Sequence, residues 1–265
     1  MKIAYVSLLP VLFVWVVSCS SANKEKPELS PIGYSVHSTL PHDISSFTQG
    51  LVVHNGELYE STGQEGSSWV GVIDVSTGKA TRKTSLDAQF FGEGITILNG
   101  KIYQLTWKNK TGFIYNLATL QKSGSFSYQT EGWGITHNGK DLIMSDGTSR
   151  LYFLDTLSFS VKSTLEVKEG TMPVQYLNEL EWINGFIYAN LWQTNRIVKI
   201  NPDDGQVVGY MDLSLIADQA LSRNPSADVL NGIAWHTGTN SMLVTGKYWP
   251  NIFVLRLEAT DAPAQ

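Results

Sequence analysis

Apolar and polar residues alternate along most of this chain in short runs, and the runs come in pairs joined by small polar turns. Five pairs recur: "GLVVHNGELYEST", "GITILNGKIYQLTW", "GITHNGKDLIMSDG", "LEWINGFIYANLW" and "GIAWHTGTNSMLVTGK". Period-two alternation is the mark of a strand, and Asn-Gly between two such runs is a strong signal for a two-residue hairpin turn. The turns begin at Asn55, Asn99, Asn138, Asn184 and about Gly238, at spacings of 44, 39, 46 and 54 residues. A third apolar run follows each hairpin: "VGVIDVST", "GFIYNLAT", "RLYFLDTL", "NRIVKINP" and "NIFVLRLE". Most of these lead through a turn into a polar outer run such as "GKATRKTSL" or "GQVVGYMDL".

A repeat of roughly 40–50 residues carrying about four strands is the signature of a β-propeller blade. The expected fold is therefore all-β, a five-bladed β-propeller. The last repeat ends at "NIFVLRLE" with no outer strand, while "GYSVHSTL" near residues 33–40 precedes the first hairpin with no other partner. That N-terminal strand is expected to complete the last blade and close the ring. A β-sandwich with uneven hairpins is the other architecture such strands can build, but fivefold recurrence favours the propeller. "LSLIADQALSRNPSADVL" interrupts the pattern before the last blade and reads as a helical or irregular insertion.

Composition changes this picture mainly at the N-terminus. Residues 1–18 read as a secretory signal, with Lys2, an apolar stretch over 3–17 and the small Ser18. The stretch is too short for a comfortable membrane span. Cys19, the only cysteine, follows "VVS" and resembles the lipidated first residue of a bacterial lipoprotein; ordinary cleavage beside an incidental cysteine is the plainer reading. Residues 19–32 then form a polar tether, 33–260 the propeller and 261–265 a tail. The expected location is the bacterial cell envelope, lipid-anchored and facing the periplasm, with Ser20 leaning to the outer membrane. A net charge of −5 and 19 scattered basic residues argue against nucleic-acid binding. Eight tryptophans and eleven tyrosines suit both a β-rich core and a binding surface.

In a propeller, the start of each innermost strand and the end of its hairpin partner meet at one rim. That topology gathers Phe47, Gln49, Glu93, Trp107, Trp133, Asn178, Glu179, Trp192 and Lys247 at one mouth. The set is polar at the centre and aromatic around it, as small-molecule sites tend to be. Glu93, set between two glycines in "FFGEGIT", is expensive to bury unless it has a task.

These residues carry a resemblance. "FTQGL", "FGEGIT", "LTW", "EGWG", "NELE", "IYANLWQT", "VLNGIA" and "TGKYWP" resemble the plant and bacterial type of glutaminyl-peptide cyclotransferase, in order and in every blade across about residues 40–255. The resemblance implies a five-bladed propeller that converts the N-terminal glutamine of peptides to pyroglutamate and releases ammonia. It implies functional roles for Phe47, Gln49, Glu93, Trp107, Trp133, Asn178, Trp192 and Lys247. The chemistry suits them. Glu93 takes the proton of the attacking α-amine and passes it to the departing nitrogen. Lys247, Asn178 and Gln49 offer donors to the oxyanion. Trp107, Trp133 and Trp192 are expected to form the wall that curls the substrate, with Phe47 also expected to bind it.

On position alone each residue also has a plainer role. Glu93 can cap backbone or pair with Lys247, the tryptophans can be core, Gln49 and Asn178 can bond turns, and Lys247 can be a solvated strand end. Glu131, Glu179 and Glu181 read as structural, although Glu179 could pair with Lys247 or bind a substrate amine. The partners expected are peptides or proteins bearing N-terminal glutamine, with the membrane reached through the lipid anchor only, and the protein is expected to be a monomer. No cofactor is expected; a structural calcium in the central channel is left open. Rival readings are a non-catalytic peptide- or ligand-binding propeller and a metal-dependent lactonase-like one. There is no HExxH, no GxSxG elbow and no ligand spacing among the five histidines.

Overall fold

The structure, a computed structural model, describes residues 1–2 and 29–258. The signal beyond residue 2, Cys19 and the 261–265 tail lie outside the described residues. Among the described residues, regular structure apart from one helix, Ser214–Arg223, is all strand: five four-stranded antiparallel blades around a central axis, with a small two-stranded ribbon, Lys168–Glu169 and Met172–Pro173, outside them. From the axis outward, the first blade is Thr48–His54, Glu57–Thr62, Trp69–Asp74 and Lys79–Ser85, and the second is Gly92–Leu98, Lys101–Thr106, Thr111–Asn116 and Lys122–Ser127. The third is Ile135–His137, Leu142–Ser145, Arg150–Leu154 and Val161–Glu166. The fourth is Leu177–Ile183, Phe186–Leu191, Arg196–Ile200 and Val207–Asp212.

The fifth blade closes the ring as the orphan strand implied. Leu230–His236, Ser241–Gly246 and Asn251–Leu257 are joined by Tyr34–Pro41 as the outermost strand, paired from Tyr34 opposite Leu257 to Pro41 opposite Asn251 with one bulge between Val36 and Ser38. The sheet structure starts slightly earlier than residue 33: Ser30–Pro31 adds a short parallel fifth strand to the edge of the fourth blade. The hydrophobic core is divided in the same fivefold way. Each of the five apolar clusters fills the gap between two neighbouring blades, as Val52, Tyr59 and Val72 meet Ile95, Ile102 and Tyr115 between the first and second. Face-to-face packing of twisted sheets, repeated until the ring shuts, is what leaves no blade face open to water.

Turn chemistry explains the hairpins. Asn55 and Gly56, Asn99 and Gly100, and Asn184 and Gly185 all have positive φ at both positions, which a two-residue turn matched to strand twist requires. The third Asn-Gly behaves differently. His137 pairs with Leu142, so four residues form the loop, and Asn138 Oδ1 accepts from the N–H of Lys140 and of Asp141. There the asparagine serves as an Asx turn rather than as the first residue of a tight hairpin. The insertion is a helix, and its Ile216 and Ala220 bury into the cluster between the fourth and fifth blades.

One recurrent irregularity builds the mouth. Four innermost strands carry a bulge at their first turn of pairing: between Thr48 and Gly50, Gly92 and Ile95, Leu177 and Leu180, and Leu230 and Ile233. A bulge inserts one extra residue and re-aims a side chain. Here it sets Gln49, Glu93, Asn178 and Asn231 at equivalent positions. The residue that follows is Gly50, Gly94 or Gly232, and Gly134 takes this place in the third blade. Five strands converge too closely there for most side chains. A Cβ on Gly134 would stand 2.1 Å from the Asn178 carbonyl oxygen, and one on Gly94 would stand 2.8 Å from Gly134 Cα. The fourth blade alone has no glycine at this place; it has Glu179.

Candidate active site

The bulged positions and the ends of the second strands meet around a cavity of about 280 Å³ at one end of the axis. Its floor holds Gln49, Glu93, Asn178 and Lys247, and its walls are Phe47, Phe91, Trp107, Trp133 and Trp192. All eight residues implied by the resemblance therefore come together. Phe91 joins them without having been singled out, although it is one of the two phenylalanines that precede Glu93.

Glu93 is 4% exposed, yet its carboxylate accepts no hydrogen bond and makes no ion pair among the described residues. It neither caps a backbone nor contacts Lys247 directly. Its backbone carbonyl is the anchor, accepting from the Ser61 hydroxyl. Burial holds the carboxyl well above its usual range; Lys247 pulls it down and Glu131 pushes it further up. Lys247 is likewise buried rather than solvated, at 5% exposure. Burial lowers its pKa, while Glu93 and Asp228 oppose that shift. Both groups are thus moved toward their neutral forms, the condition for exchanging a proton near neutral pH.

Lys247 is held from two sides. Its N–H donates to the Val229 carbonyl at 3.0 Å and its own carbonyl accepts from Asp228 N at 2.8 Å, both in the segment that follows the helix. The next residue, Tyr248, donates to Ser46 O at 2.8 Å with φ 61°. The ammonium sits 4.4 Å from the centroid of the Phe47 ring, an arrangement worth about 0.5–2 kcal/mol for a desolvated cation. Gln49 has one defined orientation. Its Oε1 accepts from Asn231 Nδ2 at 2.9 Å, and that amide nitrogen also donates to Thr48 O at 3.1 Å. The Gln49 NH2 is thereby left for the cavity. Asn178 Oδ1 is buried without a partner among the described residues. Asn231 was not among the expected site residues; its place at the bulge of the fifth blade is the signal that finds it.

The walls pack edge to face. Phe47 meets Phe91 at 5.9 Å, Phe91 meets Trp107 at 5.6 Å and Trp133 meets Trp192 at 5.4 Å between ring centroids. Glu179, expected at the same mouth, does not line it. Its oxygens accept from Leu51 N at 3.2 Å and Ile233 N at 2.9 Å, on the first and fifth blades. Such a carboxylate neither pairs with Lys247 nor faces a substrate amine. It bridges the channel below the cavity.

The model of the glutamine cyclotransferase family matches residues 10–257. The chain belongs to the glutamine cyclotransferase family. Within it, the chain is 41% identical over 225 residues to the glutaminyl-peptide cyclotransferase of Arabidopsis thaliana, covering 84% of this chain and 70% of that relative. The crystal structure of Myxococcus xanthus glutaminyl cyclase matches with a TM-score of 0.82 at 33% identity, over 88% of this chain and 100% of that one. Among the described residues, no three His, Cys, Asp or Glu side chains gather as a metal cage. The carboxylates that approach the axis, Glu179 and Glu181, instead accept backbone N–H bonds.

Proposed function

We infer that this chain is a glutaminyl-peptide cyclotransferase, converting an N-terminal glutamine to pyroglutamate with loss of ammonia. The observation that carries this reading is Glu93: a buried, unbonded carboxyl on the floor of an aromatic-walled cavity, with a buried lysine beside it. In the reaction the substrate α-nitrogen attacks its own side-chain Cδ. The new N–Cδ bond forms, the Cδ–Nε bond breaks, and the proton shed by the α-nitrogen leaves on ammonia. Glu93 accepts that proton and returns it to the departing nitrogen, a relay that needs one group of intermediate pKa. Lys247 and the free NH2 groups of Gln49 and Asn178 face the developing oxyanion. One such donor is worth ~3–4 kcal/mol.

The indole and phenyl walls favour the curled side chain over the extended one. Because the reaction is intramolecular, such orientation supplies up to about 7–11 kcal/mol. The same walls restrict water that would otherwise hydrolyse the amide. The substrate is the N-terminal residue of a peptide or protein, and the protein acts as a monomer in the cell envelope, tethered through a lipidated Cys19. The leader pattern supports that location; metabolic labelling with a radioactive fatty acid, lost in Cys19→Ser, tests it. The activity is tested by incubating the protein with a peptide bearing N-terminal glutamine, with and without chelator. The expected result is ammonia release and a mass loss of about 17 Da, the mass of the amide leaving group. A well-folded protein that leaves several such peptides intact would make the cavity a binding site instead.

A further inference from the structure

Behind the cavity wall, one carboxylate ties two indoles together. Glu131 lies between the outer strand of the second blade and the inner strand of the third, half-buried, and does not line the cavity. Its Oε2 accepts the indole N–H of Trp107 at 2.7 Å and that of Trp133 at 3.0 Å. The two tryptophans stand on different blades. Trp107 packs onward to Phe91 and Trp133 onward to Trp192, so Glu131 is the polar link in an otherwise aromatic collar. A charged acceptor holds an N–H about twice as strongly as a neutral one, and a shared oxygen fixes both ring angles at once. With their N–H groups tied back, the indoles offer the cavity carbon surface rather than donors.

We propose, resting on the cyclase reading above, that Glu131 is a positioning residue: it sets the opening between Trp107 and Trp133 in which the glutamine curls, and keeps a negative charge near Glu93. It touches no reacting atom and acts through the two indoles and through its field. Glu93 is faced by Lys247 from the fifth blade, by Glu131 from the loop between the second and third, and by the phenol of Tyr128. Burial raises the Glu93 pKa most, Lys247 lowers it and Glu131 raises it. The relay begins with Glu93 ionised, so activity falls as pH drops through that pKa. Removing the Glu131 charge moves the acidic limb to lower pH.

Two variants separate the clasp from the charge. Glu131→Gln keeps an acceptor for both indoles and loses the charge; Glu131→Leu loses both. Each is measured for kcat, KM and the pH profile of kcat on a peptide with N-terminal glutamine, and for tryptophan emission. The leucine variant is expected to lose ~10²-fold in kcat/KM, the scale of a misplaced wall, with a changed emission spectrum. The glutamine variant is expected to keep most of its turnover at its optimum, with the acidic limb displaced to lower pH. A leucine variant within twofold of wild type, or a glutamine variant whose acidic limb coincides with wild type, overturns the proposal. If the leucine variant does not fold, the glutamine profile alone decides. A wild type that cyclises nothing counts against the cyclase reading instead. The emission of the folded leucine variant then judges the clasp: a shift supports it and an unchanged spectrum overturns it.

Discussion

Glu93 and Glu179 are two carboxyls of the same type in nearly the same place. Both sit in a bulged innermost strand, both are buried, and burial raises the pKa of both well above the carboxylate range. Their oxygens differ. Those of Glu179 accept two backbone N–H groups, one from the neighbouring fifth blade and one from the first blade across the channel; those of Glu93 accept none. A buried polar group is normally satisfied. Where it is, the group belongs to the architecture. Where it is not, and a cavity opens in front of it, the unmet demand is available to a substrate. Residue type, burial and perturbed pKa do not distinguish the two; the accounting of hydrogen bonds does.

That contrast can be broken by substitution. Glu93→Gln is expected to lower kcat by ~10³-fold, within the range for a proton-transfer group, with thermal stability unchanged or slightly raised. Ammonia release and a melting curve on one sample measure both, and near-normal turnover would remove Glu93 from the relay. Lys247→Met is expected next, at ~10²-fold in kcat, since Gln49 and Asn178 still face the oxyanion. Glu179→Ala inverts the pattern. It strands Leu51 N and Ile233 N, and is expected to cost about 2–4 kcal/mol in denaturant unfolding with kcat per folded molecule kept. A loss of activity without a loss of stability would place Glu179 with Glu93 after all.

A last substitution sharpens the comparison through pH. Glu181, below Glu179 on the same strand, accepts from Trp235 N at 2.9 Å, and burial lifts its pKa to about 8. In the unfolded chain a glutamate titrates near 4.3. The native state therefore holds a proton that the unfolded state releases, and this group's contribution to stability is lost as pH rises between those values. Glu181→Gln is expected to match wild type near pH 4 and to become progressively more stable than it toward pH 8. Parallel stability curves for the two proteins would contradict this.

Much of the fold was legible because tight turns leave a mark in composition. Asn-Gly at residues 55–56, 99–100 and 184–185 needs positive φ twice, and few other pairs tolerate it. The unpaired run near residues 34–41 and the missing outer strand of the last repeat pointed to each other. The third turn misled because Asn138 uses its side chain, which looks the same in sequence. Eight of the nine cavity residues were legible as a constellation because strand ends converge in any propeller and the motifs recur in order. The bulges were not. One extra residue hardly disturbs a short alternating pattern, so Asn231 stayed hidden beside a residue type already noted. Nor was the division of labour among the glutamates visible. Glu131, Glu179 and Glu181 look alike in sequence; what separates them is burial and the N–H groups that reach them, most of which come from other blades.

The strand that closes the ring also sets a schedule. Pro41 pairs with Asn251, so the fifth blade cannot be assembled until the chain has been made as far as its third strand. Lys247 and Asn231 arrive with it, whereas Gln49 and Glu93 are made early. At synthesis rates of about 5–20 residues per second, the N-terminal strand waits roughly 10–40 s for its partner. During that time the half-built propeller has its glutamate and most of its aromatic walls but not its lysine. The last blade to be made is therefore the one that turns the protein on.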